Sequence, residues 1–287
     1  MRQVSMFDSA PVNHALMDFV EREAERMWAS DTHRQRSIAQ VMSFARFRDN
    51  QSRPLSQFLP RDIHDWADNL VAGGSRKSTV NRYLASVSKV FNHAVDEKVI
   101  TTAPRIKFFK VKSERVRYFS DTEIDQITSF FTDRGDHWMT DMFVLALKTG
   151  MRKGEIIALG EGRASISKCG EWIELPPEVT KTNKGRNVPI TNADANSAAQ
   201  RIASDLMDHY TKKKFEHRWN LVKREYARND DTYVFHVTRH NAASKMANEL
   251  QVPTVIVAEM LGHNSLSTTQ RYVHAKPDTL RDISKQM

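Results

Sequence analysis

The sequence predicts a mainly α-helical protein with a small β-sheet, arranged as two domains. Three observations lead there. Apolar residues recur at spacings of three and four along most of the chain. Only residues 163–190 show the short, turn-bounded runs expected of strands. A basic stretch with Pro104 and no period, TTAPRIKFFKVKSERVRYF, separates two helical regions and puts a boundary near residue 113. The length, 287 residues, is enough for two cores of ordinary size.

The elements follow in order. Residues 12–48 read as helical, with Leu16, Phe19 and Val20 and then Ile38, Val41, Met42 and Phe44 at helical spacing. Pro60 suits the first turn of a helix carrying Ile63, Trp66 and Leu70, and Gly73–Gly74 stop it. After Ser75, the residues Val80, Leu84, Val87, Phe91 and Val95 form an apolar stripe, with Arg76, Lys77, Arg82 and Lys89 mostly off it. The first domain is thus residues 1–113, four helices and a basic linker. Beyond it, residues 114–287 form the second domain. Ser120 with Glu123 makes a capping box for a helix holding Ile124, Ile127 and Phe131. Residues 139–148 read as a buried helix. Glu171–Pro176 and Arg186–Ile190 read as strands joined by TKTNKG, and helix resumes after about residue 194, broken at Asn229–Asp231, Pro253 and Gly262.

Composition narrows the function. Hydrophobic residues make up 40% and charged residues 27%, with no apolar run near the roughly 18 residues a membrane span needs. MRQVSMFDSA lacks the apolar core of a secretory signal, and the lone Cys169 forms no internal disulfide; a cytoplasmic location is expected. The net charge of +8 points to a polyanionic partner. Residues 75–117 hold eleven Lys or Arg against three Asp or Glu, an excess equal to that of the whole chain. A solvated helix face is the bland reading; the local concentration favours a phosphate-binding surface.

Four segments of the second domain carry unusual polar residues. In LKTGMRKGEIIAL, Arg152 follows a helix-ending Gly150 and has Glu155 one turn later; alone, the two read equally well as a surface ion pair. TKTNKGRNVPI places Lys181, Lys184 and Arg186 in and around a hairpin. In YVFHVTRHNAASKMANEL, His236 and Arg239 share one face at a helix start, with His240 one step round. The His236–His240 spacing fits zinc, but the glutamate such a motif needs is replaced by Val237. In LGHNSLSTTQRYVHA, Gly262 ends a helix, His263 lies in the turn, and Tyr272 falls on the next short helix in a polar run that offers it little apolar cover.

Together these side chains suit phosphodiester chemistry. Cations neutralise the non-bridging oxygens of a pentacoordinate phosphate, and a tyrosine hydroxyl can take the phosphoryl group covalently. Holding tyrosine ionised at pH 7 costs roughly 4 kcal/mol, which neighbouring arginines and a histidine base can supply. The lack of an acidic cluster argues against a two-metal nuclease, and no cofactor is expected.

In their order and spacing, LKTGMRKGEIIAL, TKTNKGRNVPI, HVTRH and LGHNSLSTTQRYVHA resemble the tyrosine recombinase, or phage integrase, family over residues 118–275. The first hundred residues resemble its helical core-binding (SAM-like) domain more loosely, through STVNRYLASVSKVFNHAV. The resemblance implies a mixed α/β catalytic domain in which Arg152, Lys181, His236, Arg239, His263 and Tyr272 are catalytic. Tyr272 would form a 3′-phosphotyrosyl link, Lys181 protonate the 5′-oxygen, Arg152 and Arg239 contact the scissile phosphate, His236 assist proton transfer, and His263 hydrogen-bond the phosphate. Glu155 and His240 would be structural. Arg76, Lys77, Ser78, Thr79, Arg82, Lys184 and Arg186 would contact DNA. The implied partners are double-stranded DNA at specific sites, a homotetramer formed on it through a four-way junction, and accessory DNA-bending proteins; the setting would be a bacterial cell, at the nucleoid. Thr238 departs from the leucine common in HVTRH-type boxes, a difference expected to touch packing only. About a dozen residues precede the first helix, so an arm-type DNA-binding domain is not expected. The tail VHAKPDTLRDISKQM resembles the segment that packs on a neighbouring protomer. A type IB topoisomerase and a non-catalytic DNA-binding regulator are the alternatives.

Overall fold

The computed structural model describes residues 14–111, 116–270 and 272. The chain divides into two compact units, Met1–Ser113 and Glu114–Met287. Among the described residues, no helix is long and apolar enough to cross a membrane.

The first unit packs four helices: α1 (Leu16–Met27), α2 (Asp31–Arg46), α3 (Pro60–Ala72) and α4 (Lys77–Asp96). The stretch expected to be helical over 12–48 is two helices, because Trp28 turns to an extended conformation (φ −134°, ψ 106°) and a new helix starts after the extended Ser30. Phe19, Val41, Phe44, Ile63 and Trp66 meet the stripe of α4, whose Val80, Leu84, Val87 and Phe91 are all buried. Asp62 accepts the Leu59 N–H at 2.8 Å, tying off the head of α3 beside Pro60. The linker is strapped to this unit: the Asn81 amide exchanges hydrogen bonds with the backbone of Phe109, both 2.9 Å, and Lys107 N–H donates to His64 Nε2 at 3.0 Å. On α4, Lys77, Ser78, Arg82 and Lys89, and Arg76 just before it, stay exposed on the other face, with Thr79 half-buried.

The second unit runs α5 (Asp121–Thr132), α6 (His137–Thr149), α7 (Lys153–Gly160), strands β1 (Ser165–Ile166), β2 (Trp172–Leu175) and β3 (Arg186–Pro189), then α8 (Ala193–His209), α9 (Lys212–Tyr226), α10 (Val237–Ser244), α11 (Thr254–Leu261) and α12 (Leu266–Gln270). The strands form an antiparallel sheet in the order β1-β2-β3, with Ile173 facing Val188. The strand period of two sends Ile173 and Leu175 into the core and leaves Trp172 and Glu174 outside. That core joins Met142, Phe143 and Ala146 of α6 to Ala198 and Ile202 of α8. The capping box is present as read, with Ser120 Oγ accepting Glu123 N–H and Glu123 accepting Ser120 N–H. A smaller cluster of Ala242, Ala243, Met246, Val257, Leu261 and Tyr272 forms a satellite core.

Candidate active site

Two glycine-ended helices build the frame. Gly150 closes α6 and Gly262 closes α11, both left-handed at φ +70° and +64°. The last carbonyls of a helix lack intrahelical partners and carry partial negative charge. Here they receive arginines. Arg239 donates from Nη1 to Gly150 O at 2.7 Å and from Nη2 to Leu261 O. Arg152 donates to Gly262 O at 3.2 Å, and Arg186 Nε to Met260 O at 3.1 Å.

Glu155 binds this cluster together. Its carboxylate accepts both terminal nitrogens of Arg186, at 2.8 and 2.9 Å, together with Arg152 Nη1 at 2.9 Å and the Arg152 backbone N–H at 2.8 Å. Burial pushes the Glu155 carboxyl up, but hydrogen bonds and charge from Arg186, joined by the backbone N–H and charge of Arg152, outweigh it and hold its pKa below the ordinary value. Two guanidinium groups thus share one carboxylate, with a third, that of Arg239, close by, and the cluster keeps a positive excess. Arg239 shows the consequence: burial first, then repulsion from Arg152, push its pKa down to about 9, against the pull of Glu155. It remains charged at neutral pH. With two of its five N–H groups spent on carbonyls, it keeps donors for an anion that would relieve the repulsion.

Tyr272 sits in a turn just past α12, not on it, with its N–H donating to Thr269 O at 2.9 Å. Its expected polar setting is not what the structure shows. The side chain is 2% exposed, covered by Ala242, Ala243 and Met246 from the α10 region and Val257 and Leu261 of α11. Asn248, in a π-helical turn (Lys245–Glu249) that continues α10, donates to Tyr272 O at 2.8 Å. The Tyr272 hydroxyl lies 2.7 Å from His240 Nδ1. The His263 ring stacks on the Tyr272 ring at 6.3 Å and 20°, and His263 Nδ1 meets Thr269 Oγ1 at 2.7 Å.

His236 caps α10 and meets the His240 ring edge-on, centroids 5.1 Å apart. Desolvation first, and then the charges of Arg239, Arg152 and Lys181, hold its pKa below the ordinary histidine value. Thr238 is buried in packing, its hydroxyl donating to Phe235 O at 2.7 Å. Lys181 stays exposed on the β2–β3 loop. The buried Thr180 latches that loop, its hydroxyl 3.0 Å from Pro177 O and 2.9 Å from Lys184 O while accepting Lys184 N–H at 3.1 Å. Lys184 lines an open cleft of about 610 Å³ with Trp172, Ile256 and His263.

Several expectations change on this geometry. Arg152 and Glu155 are not a surface pair, since the Glu155 side chain is 2% exposed. Arg186, expected on DNA, has a 9% exposed side chain whose fork is spent on Glu155 and a helix end. His240, expected to be structural, touches the Tyr272 hydroxyl. Asn248, Thr269 and Thr180 were not anticipated, and no local pattern marks them. Among the described residues, the one histidine–carboxylate cluster close enough to hold a metal is Glu23, His93 and Glu97 in the first unit, where Glu23 already accepts from Arg22 and Arg26.

All these second-unit residues lie inside a stretch matched by the sequence model of the phage integrase family, residues 117–278, more than half of the chain. The chain belongs to that family. Among known proteins, the Escherichia coli shufflon-specific DNA recombinase is 29% identical over 205 residues, 69% of this chain and 51% of that protein, so this chain spans about half its length. Tyrosine recombinase XerC of Herpetosiphon aurantiacus is 27% identical over 223 residues, 70% of each chain. The solved Tn1549 transposon integrase in complex with a circular intermediate DNA matches with a TM-score of 0.71 at 17% identity, covering 95% of this chain and 99% of that one. A lambda integrase dimer bound to a COC′ core site gives 0.67 at 16% identity, covering 91% and 95%. At these identities the structural likeness is one of fold: a mainly helical protein with a small sheet, as tyrosine recombinases have.

Proposed function

We propose that this protein is a site-specific DNA recombinase that cleaves and rejoins strands through a 3′-phosphotyrosyl bond to Tyr272, using protein cations where other enzymes use metal. One observation carries the reading: a buried tyrosine hydroxyl, engaged by a histidine, shares a site with a cluster of guanidinium groups that one carboxylate does not neutralise. Such a site favours an anion with dispersed charge, and a phosphodiester passing through a pentacoordinate state is one. Arg152 and Arg239 would hold its non-bridging oxygens, His263 would add a hydrogen bond, and Lys181 would protonate the departing 5′-oxygen. The retained phosphotyrosyl bond makes rejoining possible without ATP. The exposed basic head of α4, with Arg76, Lys77, Ser78, Thr79 and Arg82, would grip the duplex, and Lys184 would reach it from the hairpin. DNA-bound neighbours of the same fold, among them XerH on its difH substrate, support DNA as the partner. Assembly as a tetramer on paired sites, with accessory bending proteins, belongs to the same reading. The tail expected to pack on a neighbouring protomer lies outside the described residues.

The test is a nicked suicide substrate that traps covalent complexes. Wild type forms an adduct and Tyr272→Phe forms none; equal absence of adduct in both would leave the regulator reading. Adduct formation persists in EDTA. Exchange between two marked duplexes separates recombination from plasmid relaxation alone, which a type IB topoisomerase would give.

A further inference from the structure

The phenolic proton of Tyr272 must leave as its oxygen attacks. The family resemblance gives proton transfer to His236, but the structure hydrogen-bonds the phenol to His240, while His236 meets the ring of His240. We infer that His240 is the catalytic base of the cleavage step, taking the Tyr272 proton on Nδ1; the inference rests on the recombinase reading above.

The geometry favours transfer at this point. The 2.7 Å separation lies within hydrogen-bond range, close enough for direct proton transfer. With its own proton on Nε2, the neutral imidazole presents a lone pair on Nδ1 and accepts from the hydroxyl. Both partners are held. The Tyr272 backbone is fixed at its N–H by Thr269 O and at its carbonyl by the Asn248 amide. Its ring is packed among Ala242, Met246 and Leu261 and faced by His263. His240 is fixed by its place on α10, whose preceding residue Arg239 is anchored on two helix ends, and its ring is braced by His236 one turn back. Consecutive residues of HVTRH thus divide the work, Arg239 towards the phosphate and His240 towards the nucleophile.

The step balances. The Tyr272 O–H bond breaks and its proton passes to Nδ1, making an imidazolium. The new oxygen–phosphorus bond forms while the phosphorus–O5′ bond breaks, and the leaving oxygen takes its proton from Lys181. On rejoining, the attacking 5′-hydroxyl returns a proton to Lys181, and the phenolate recovers its own from His240.

The experiment measures single-turnover cleavage by wild type, His240→Ala, His240→Asn and Lys181→Ala. Two suicide substrates are used, one with the normal 5′-oxygen and one with bridging sulfur in its place. Asparagine keeps an acceptor near the position of Nδ1 but takes up no proton at neutral pH, and it protects the fold where alanine does not. Both His240 variants are expected to slow about 10²–10³-fold on both substrates, with DNA binding in a gel shift unchanged. Lys181→Ala should be slow with oxygen and restored with sulfur, whose thiolate leaves without protonation. Wild-type rates in His240→Asn, or rescue of the His240 variants by sulfur, would overturn the base assignment. Absence of an adduct in wild type would instead overturn the recombinase reading itself.

Discussion

Replacing Glu155 by Gln removes one negative charge from between two arginines while keeping the side chain's shape. The Glu155 side chain is 2% exposed and that of Arg186 9%, so the charge left on Arg186 has little water to turn to. Breaking a buried ion pair from one side costs about 3–5 kcal/mol. Glutamine still accepts one hydrogen bond, which places Glu155→Gln near 3 kcal/mol. For a unit in the range of roughly 150–250 residues, each kcal/mol moves the melting temperature by about 2–4 °C, so a fall of about 6–12 °C is expected. Adding Arg186→Met removes the stranded cation and should restore part of the loss, because neighbouring sites do not add. The dependence on pH has a definite sign. The folded-state pKa of Glu155 lies below its unfolded value, so its stabilisation is full above the unfolded pKa and is lost as pH falls through the folded one. Calorimetric melts of wild type and Glu155→Gln should therefore differ at pH 7 and converge in acid below the ordinary glutamate range. A difference under about 2 °C at pH 7, or one that grows on acidification, would refute the argument.

Further outcomes follow from the same frame. Gly150→Ala places a methyl group against Leu261 and Ala242 at φ +70° and should cost about 2–4 kcal/mol in a thermal melt; cleavage should fall with it, since Gly150 O anchors Arg239. Thr180→Val unlatches the loop that carries Lys181, so single-turnover cleavage should drop about tenfold at unchanged DNA affinity; a wild-type rate would show that the latch does not position the lysine. Removing the side chains of Arg76, Lys77 and Arg82 together should flatten the plot of log affinity against log salt by about 3 if each contacts one phosphate, and an unchanged slope would remove α4 from the DNA interface.

Features set by neighbours in sequence were readable, and features set by distant ones were not. Pro60 and Gly73 bound α3 where local chemistry puts them, and Ser120 with Glu123 starts α5 through a box four residues long. The four polar segments also carry the residues of the candidate site. The strand β1 escaped because two residues, Ser165 and Ile166, carry no period. Arg186 was expected on DNA because its partner, Glu155, lies 31 positions earlier and no local pattern joins the two. The polar neighbours of Tyr272 hid its burial, since its cover comes from α10 and α11 and not from its own segment. The contact of His240 with Tyr272 was not legible for the same reason: it spans 32 positions.

The two left-handed glycines hold the arginine cluster in place. An arginine cluster this dense would repel itself apart if its charges met only one another. Ending α6 at Gly150 and α11 at Gly262 turns helix carbonyls towards the same place, and these accept from Arg239 and Arg152 without neutralising them. A carboxylate at each arginine would hold the cluster more firmly and cancel the field a phosphate needs. Glu155 alone, shared by Arg152 and Arg186, leaves Arg239 with no carboxylate hydrogen-bonded to it among the described residues and its pKa pushed down to about 9. Carbonyl dipoles thus fix the geometry while the charge stays available, so in the proposed reaction the site would be arranged before substrate arrives and its excess relieved by the anion that enters.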